Sequence, residues 1–318
     1  MMALLCKLVD RTAIQFAALR MPGPDERDAH LAEARQFLRS PEFVPPRVDL
    51  PAVEFIGPKR FRFATPRPTA FAENDLVHGR LYRCQRRWQE RPAVVLLHGW
   101  NDLINHRLRF PLVAWQFNQA GLNAAAIELP FHFQRRPRQL GARGNFLCPD
   151  ILRTARAIAQ AIAEIRAVSH WLRAQGCPAV GLLGVSLGAL LAGLTVCRDA
   201  QCASCAALIA PIARLDRLIQ EAAFCRGIAA ALRGQPMEAD TLNLTACRPV
   251  IPTENILLVE AVHDLFAPPE TIEELCRAWG GPEIWRLRHG HVGVVGAPGL
   301  TRRIIRWMAP RLGEAAAK

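Results

Sequence analysis

The sequence predicts an α/β fold with a mostly parallel central sheet and helices on both faces. Three observations carry that expectation. Short continuous apolar runs alternate with longer helical stretches from about residue 59 onward, which is how strands buried on both faces alternate with the helices that cover them. A chain of 318 residues that is 51% hydrophobic can bury one large core, and suits a single domain of about 250 residues with an appendage. One of the apolar runs ends in a glycine-flanked serine turn that opens a helix, a junction at home in such a sheet.

Residues 1 to about 40 have helical periodicity and no strand pattern, and prolines punctuate the stretch from Pro41 to Pro51. Residues 1–54 are therefore read as a helical extension with a proline-rich linker, and 55–318 as the domain. Strands are expected near 59–64, 78–84, 92–97 and 123–128, with a helix near 104–120 between the last two. The helix expected over 151–175 has Asp150 to cap its first amides, an apolar stripe through Ile151, Ala155, Ile158, Ile162, Ile165 and Leu172, and Gly176-Cys177-Pro178 to end it. Further strands fall at 179–185, 206–210, 256–259 and 284–287. Residues 212–252 hold helical stretches and no strand.

The serine turn is Gly184-Val185-Ser186-Leu187-Gly188, between the apolar run Ala179–Leu183 and the helical run that starts at Ala189. Glycines two residues either side of the serine remove Cβ atoms that would collide in so tight an elbow. The turn leaves the hydroxyl exposed at the strand's end, with the next amide near a helix N-terminus. A serine hydroxyl is a poor nucleophile at neutral pH. It needs a base within hydrogen-bond reach and a third group that fixes the base's tautomer. His291 and Asp264 are the candidates, since both follow apolar strands and so share the C-terminal sheet edge with Ser186. His289 competes with His291 as the base. Glu260 competes with Asp264, but it lies inside an apolar run where a carboxylate needs a buried partner.

The order strand-His98-Gly99, strand-Ser186, strand-Asp264, strand-His291, with 78 residues from serine to acid and 27 from acid to histidine, resembles the α/β-hydrolase superfamily over roughly residues 55–312. Gly290-His291 matches the family's common glycine-histidine pattern and favours His291 over His289. The resemblance implies an α/β-hydrolase fold and a serine hydrolase acting on a carboxylic ester through an acyl-enzyme. It also implies that 212–252 is a cap or lid inserted over the site. Backbone N–H groups of Leu187 and Trp100 are the expected oxyanion donors, and His98 is read as a histidine that stabilises the turn. Phe131, His132 and Phe133 are expected to border the substrate pocket. Thioester, amide and peptide substrates stay open, as does a non-catalytic binding protein on the same fold.

The formal charge of +12 lies entirely in residues 51–318, because the first 50 residues carry seven basic and seven acidic side chains. The arginine cluster Arg135, Arg136, Arg138 and Arg143 is read as solvated, with an anionic substrate group as the alternative. No nucleic-acid motif is visible, and neither a cofactor nor a metal is implied. No apolar run of 18 or more residues suggests a membrane span, and the start of the chain is unlike a secretory signal; contact of residues 1–20 with a membrane surface is the weaker reading. Ten scattered cysteines, several inside apolar runs, fit reduced core thiols in a cytoplasmic protein. The one C-x-x-C, Cys202 to Cys205, has no second pair with which to complete a four-thiolate zinc site.

Overall fold

A computed structural model describes residues 2–19, 21, 30–235 and 239–317. Nine strands form one sheet: β1 (Glu54–Phe55), β2 (Arg60–Ala64), β3 (Leu76–Tyr82), β4 (Ala93–Leu97), β5 (Asn123–Ile127), β6 (Val180–Val185), β7 (Cys205–Ile209), β8 (Ile256–Ala261) and β9 (Glu283–Leu287). Their order is β1-β2-β3-β5-β4-β6-β7-β8-β9. From β5 through β9 every pairing is parallel, and β1, β2 and β3 join at one edge in antiparallel fashion. This is the mostly parallel sheet the alternation predicts, with an antiparallel margin that periodicity alone does not specify.

The central strands are apolar along their whole length because both of their faces are covered. On β4, Ala93, Val95 and Leu97 enter one core cluster, while Val94 and Leu96 enter the other. Helices Leu31–Arg39, Ile151–Ala174 and Leu187–Val196 pack on the first face, and helices Phe110–Gln119 and Leu300–Ala317 on the second. The cap expected from Asp150 forms: its Oδ1 accepts the N–H of Arg153 at 3.0 Å. The stretch from Asn105 to Arg109 winds as a wider π-helical turn before the regular helix begins.

One reading of the arginine cluster is overturned. Arg135 is fully buried and makes a two-pronged ion pair with the equally buried Glu164, with both N–O distances 2.6 Å. Its remaining donors reach the carbonyls of Glu128 and Asn74, and Thr65 Oγ1 donates to Glu164 at 2.6 Å. A charge run is usually solvated, but a guanidinium with every donor engaged can be enclosed. Arg138 is exposed, and the side chain of Arg143 lies outside the described residues. Glu164→Ala, which strands the buried guanidinium, should lower unfolding free energy by about 3–5 kcal/mol in urea titration. A change below about 1 kcal/mol would show that the pair is not closed off from water.

Candidate active site

The elbow at Ser186 is strained and held from three sides. Its φ of 53° and ψ of −114° are unfavourable for a residue with a Cβ, by about 1–3 kcal/mol. Ser186 N–H donates to Ile209 O on β7 at 2.9 Å, and Ser186 O accepts from the N–H groups of Ala189 and Leu190 at 2.9 Å each. The flanking glycines are required by contact. A Cβ at Gly184 would lie 2.4 Å from Gly188 O, and one at Gly188 would lie 2.3 Å from Leu97 O. The helix start is thus pressed against the ends of β6 and β4, and the hydroxyl has nowhere to point but out of the sheet edge.

Asp264 and His291 arrive together because the pairing of β8 with β9 continues past the sheet. Val262 N–H donates to Leu287 O and His263 N–H to His289 O, both at 2.9 Å, which sets Asp264 beside the loop that carries His291. Asp264 Oδ1 accepts from the N–H groups of Phe266 at 2.7 Å and Ala267 at 2.8 Å, leaving Oδ2 for His291 Nδ1 at 2.7 Å. His291 Nε2 lies 2.7 Å from Ser186 Oγ. The Phe266 ring stacks on the imidazole with centroids 4.6 Å apart. Burial works against the charged imidazole, but Asp264, by charge and hydrogen bond, and the more distant charges of Asp10 and Asp102 outweigh it, so the His291 pKa is raised.

The competing residues are placed elsewhere. His289 shares its backbone with the β8–β9 extension, and Glu260 Oε2 sits 3.7 Å from Arg286 Nε. Burial raises the pKa of Glu260.

Gly99 and Trp100 cross over the serine; a Cβ at Gly99 would lie 3.5 Å from Ser186 Cβ. His98, fully buried, shapes this loop. One ring nitrogen contacts Gly99 O at 2.7 Å and the other accepts Leu129 N–H at 3.1 Å. A cavity of about 380 Å³ opens over Ser186, Leu187, Trp100 and His291, with mostly apolar walls that include Leu190, Ile212 and Val292. Leu215, Leu218 and Phe224 from the 212–252 segment join that wall, and Phe224 stacks on Trp100 at 5.2 Å.

Phe131, His132 and Phe133 are not brought to this cavity. Phe131 and His132 are buried, and Phe133 faces a separate cavity with Asn101, Leu103 and Arg136. Positive φ values at Phe131 (58°) and Phe133 (47°) turn the segment away from the serine, and Phe133 packs against His98 at 4.7 Å. Cys202 and Cys205 are buried, and burial pushes both thiols up to about 12, opposite to the lowered pKa of a redox-active thiolate.

Sequence reasoning missed two contributors. The N-terminal helix Met2–Ala18 crosses the site, supplying Ala13, Phe16 and Ala17 to the cavity wall and the carboxylate of Asp10 to the His291 loop. Asp102 also lines the cavity, with its carboxylate bonded to the side chain and the backbone N–H of Asn105. Asp10 is the one acid of this helix, but Lys7 and Arg11 flank it on the chain, so no sequence signal set it apart from a solvated charge.

The sheet order, the elbow and the loops at the strands' C-terminal edge define an α/β-hydrolase. Solved esterases share the fold. Est1E from Butyrivibrio proteoclasticus superposes with a TM-score of 0.53 at 11% identity, covering 75% of this chain and 95% of that one. Acetyl xylan esterase from Paenibacillus sp. R4 gives 0.53 at 15% identity over 90% and 95% of the two chains. The model of the family "Alpha/beta hydrolase domain containing 18" matches residues 58–231, more than half of the chain, and the protein belongs to that family. An uncharacterized protein of Mycobacterium tuberculosis is 29% identical over 226 residues, which is 64% of this chain and 51% of the relative. The chain therefore spans about half the length of that curated relative.

Proposed function

We propose that the protein hydrolyses a carboxylic ester through an acyl-enzyme on Ser186. The observation that carries this reading is the line from Ser186 Oγ to His291 Nε2 and from His291 Nδ1 to Asp264 Oδ2, each 2.7 Å, at the floor of an apolar cavity. Ser186 Oγ bonds to the acyl carbon as its proton passes to Nε2, and Asp264 holds the ring in the tautomer that can accept it. The N–H groups of Leu187 and Trp100 are assigned to the oxyanion; such a donor lowers the barrier by about 3 kcal/mol. Collapse expels the alcohol, which takes the proton from Nε2. Water, deprotonated by the same nitrogen, then releases the acid and restores the serine. An apolar wall with few polar groups suits an acyl chain, and the esterase neighbours on this fold support an ester as the substrate class. One such neighbour, Est1E, has been solved with ferulic acid bound.

A fluorophosphonate probe should label Ser186, and a panel of p-nitrophenyl esters should be turned over with a preference set by chain length. A protein that neither reacts with the probe nor cleaves any ester is a binding protein on the hydrolase fold. The pH dependence has a fixed sign. The base must be neutral, and its pKa is raised, so acylation should rise with pH through one ionisation above the free-histidine value of about 6.5 and then level off. A profile that is flat from pH 5 to 9 removes His291 as the base.

We assign the 212–252 segment the role of a lid that selects the acyl chain. Leu215, Leu218 and Phe224 are all buried, so truncation to alanine would confound selectivity with stability. Phe224→Leu, which shortens the wall and gives up the stacking on Trp100 but removes less than alanine would, should raise turnover of long-chain over short-chain esters severalfold. An unchanged ratio would leave the segment a structural cover.

A further inference from the structure

Backbone amides from the loop that carries the acid and the loop that carries the base converge on one carboxylate that belongs to neither. Asp10, on the N-terminal helix, is fully buried. Its Oδ2 accepts the N–H of His291 at 2.8 Å and of Leu265 at 3.1 Å, and its Oδ1 accepts the N–H of Val292 at 3.2 Å. One donor is the backbone of the base itself, and another is the residue that follows Asp264. The loops are thereby tied to each other through a helix more than 250 residues away in sequence, which also walls the cavity with Ala13, Phe16 and Ala17.

Gly290 fits this arrangement from the other side. A Cβ there would come within 2.9 Å of both carboxylate oxygens of Asp10. Its φ of −87° and ψ of 177° suit any residue, so it is contact with Asp10 that excludes a side chain, not backbone strain. Burial pushes the Asp10 carboxyl up, the N–H groups of His291 and Val292 pull it down, and the nearby charge of Asp264 adds to the rise, so it is raised overall. A carboxylate sets an acceptor oxygen against each of these three amides, which no neutral side chain of that shape does. What the charge adds is a second carboxylate near the imidazole. The charged groups acting on His291 are Asp264 after β8, Asp10 on the N-terminal helix and Asp102 in the loop after β4.

We propose that Asp10 is a positioning residue of the site: it clamps the His291 loop to the Asp264 loop and strengthens the field that favours the imidazolium formed during acyl transfer. The inference rests on the serine-hydrolase reading of Ser186, His291 and Asp264.

The test compares the full chain with its Asp10→Asn, Asp10→Ala, Gly290→Ala and Asp10→Ala/Gly290→Ala variants. The readouts are fluorophosphonate labelling rate, p-nitrophenyl ester kinetics, melting temperature, and the His291 imidazole pKa by NMR, assigned from its loss in His291→Gln. Asp10→Asn keeps the shape but sets an amide group against at least one N–H donor. Labelling rate and kcat should fall about tenfold to a hundredfold, with KM changed by less than about threefold, as expected for a base displaced by a fraction of an ångström. The acid limb of the rate profile and the His291 NMR pKa should both move to lower pH, which loss of packing alone would not produce. Gly290→Ala should cause a similar loss in the wild-type background and add nothing in the Asp10→Ala background, because the group it collides with is gone.

Labelling within about twofold of wild type in both Asp10→Asn and Gly290→Ala, with the His291 pKa unmoved, overturns the proposal whatever happens to the melting temperature. If Asp10→Asn does not fold, Gly290→Ala and the double variant decide alone. Failure of the underlying reading looks different: wild type and Ser186→Ala would then be equally unreactive, while the NMR pKa still reports whether Asp10 acts on His291.

Discussion

Ser186→Ala is expected to abolish probe labelling and to lower kcat for ester hydrolysis by about five to six orders of magnitude, the scale at which a serine protease loses activity when its nucleophile is deleted. The fold should survive. Alanine keeps the Cβ that the strained backbone already tolerates at φ 53°, and the lost hydroxyl has His291 Nε2 as its partner rather than any core group. The companion variant Ser186→Gly separates chemistry from strain. It should be equally inactive yet melt higher than Ser186→Ala, because glycine adopts this φ without the penalty that an L side chain meets, about 1 kcal/mol. Retained labelling in either variant would move the nucleophile elsewhere. Equal melting temperatures would mean that the strain is no larger than the entropy glycine adds to the unfolded chain, about 1 kcal/mol.

What could be read from the sequence divides by distance along the chain. Ser186 was legible because the constraints that shape it are local: Gly184 and Gly188 sit two residues away, and the bulk they lack is what the elbow cannot hold. The convergence of Asp264 and His291 on it was legible one level up, since each follows a strand of a parallel sheet and such strands end on one edge. Asp10 was not. Its partners lie 255, 281 and 282 residues away, and between Lys7 and Arg11 it has the look of an ordinary solvated helix charge. Arg135 failed for a related reason, since a run of arginines states nothing about Glu164 in a helix on the far side of the Gly144–Cys148 turn. Phe131 and Phe133 were misplaced by backbone conformation: positive φ at two aromatic residues is rare and leaves no mark in composition, yet it turns the segment from the cavity toward the His98 side.

The two histidines of the His289-Gly290-His291 turn should behave as opposites. His291→Ala is expected to reduce acylation by about four orders of magnitude or more, because Ser186 then has no acceptor for its proton and Asp264 has no imidazolium to stabilise. His289→Ala should stay within about tenfold of wild type, since the contribution of His289 to the site is its backbone carbonyl, which accepts His263 N–H at 2.9 Å and survives the substitution. Only one imidazole can lie between an oxygen on β6's elbow and a carboxylate after β8 with both contacts at 2.7 Å, and that place is taken by the residue whose own N–H is held by Asp10. The same constraint fixes what a rearrangement would look like. If His289 could swing into the vacancy, His291→Ala would keep measurable turnover, and the double variant His289→Ala/His291→Ala would remove it. No residual turnover in the single variant His291→Ala would show that Gly290 and the Asp10 clamp leave the loop no such freedom. Residual turnover in His291→Ala that disappears in the double variant would instead transfer the role of base to the loop as a whole.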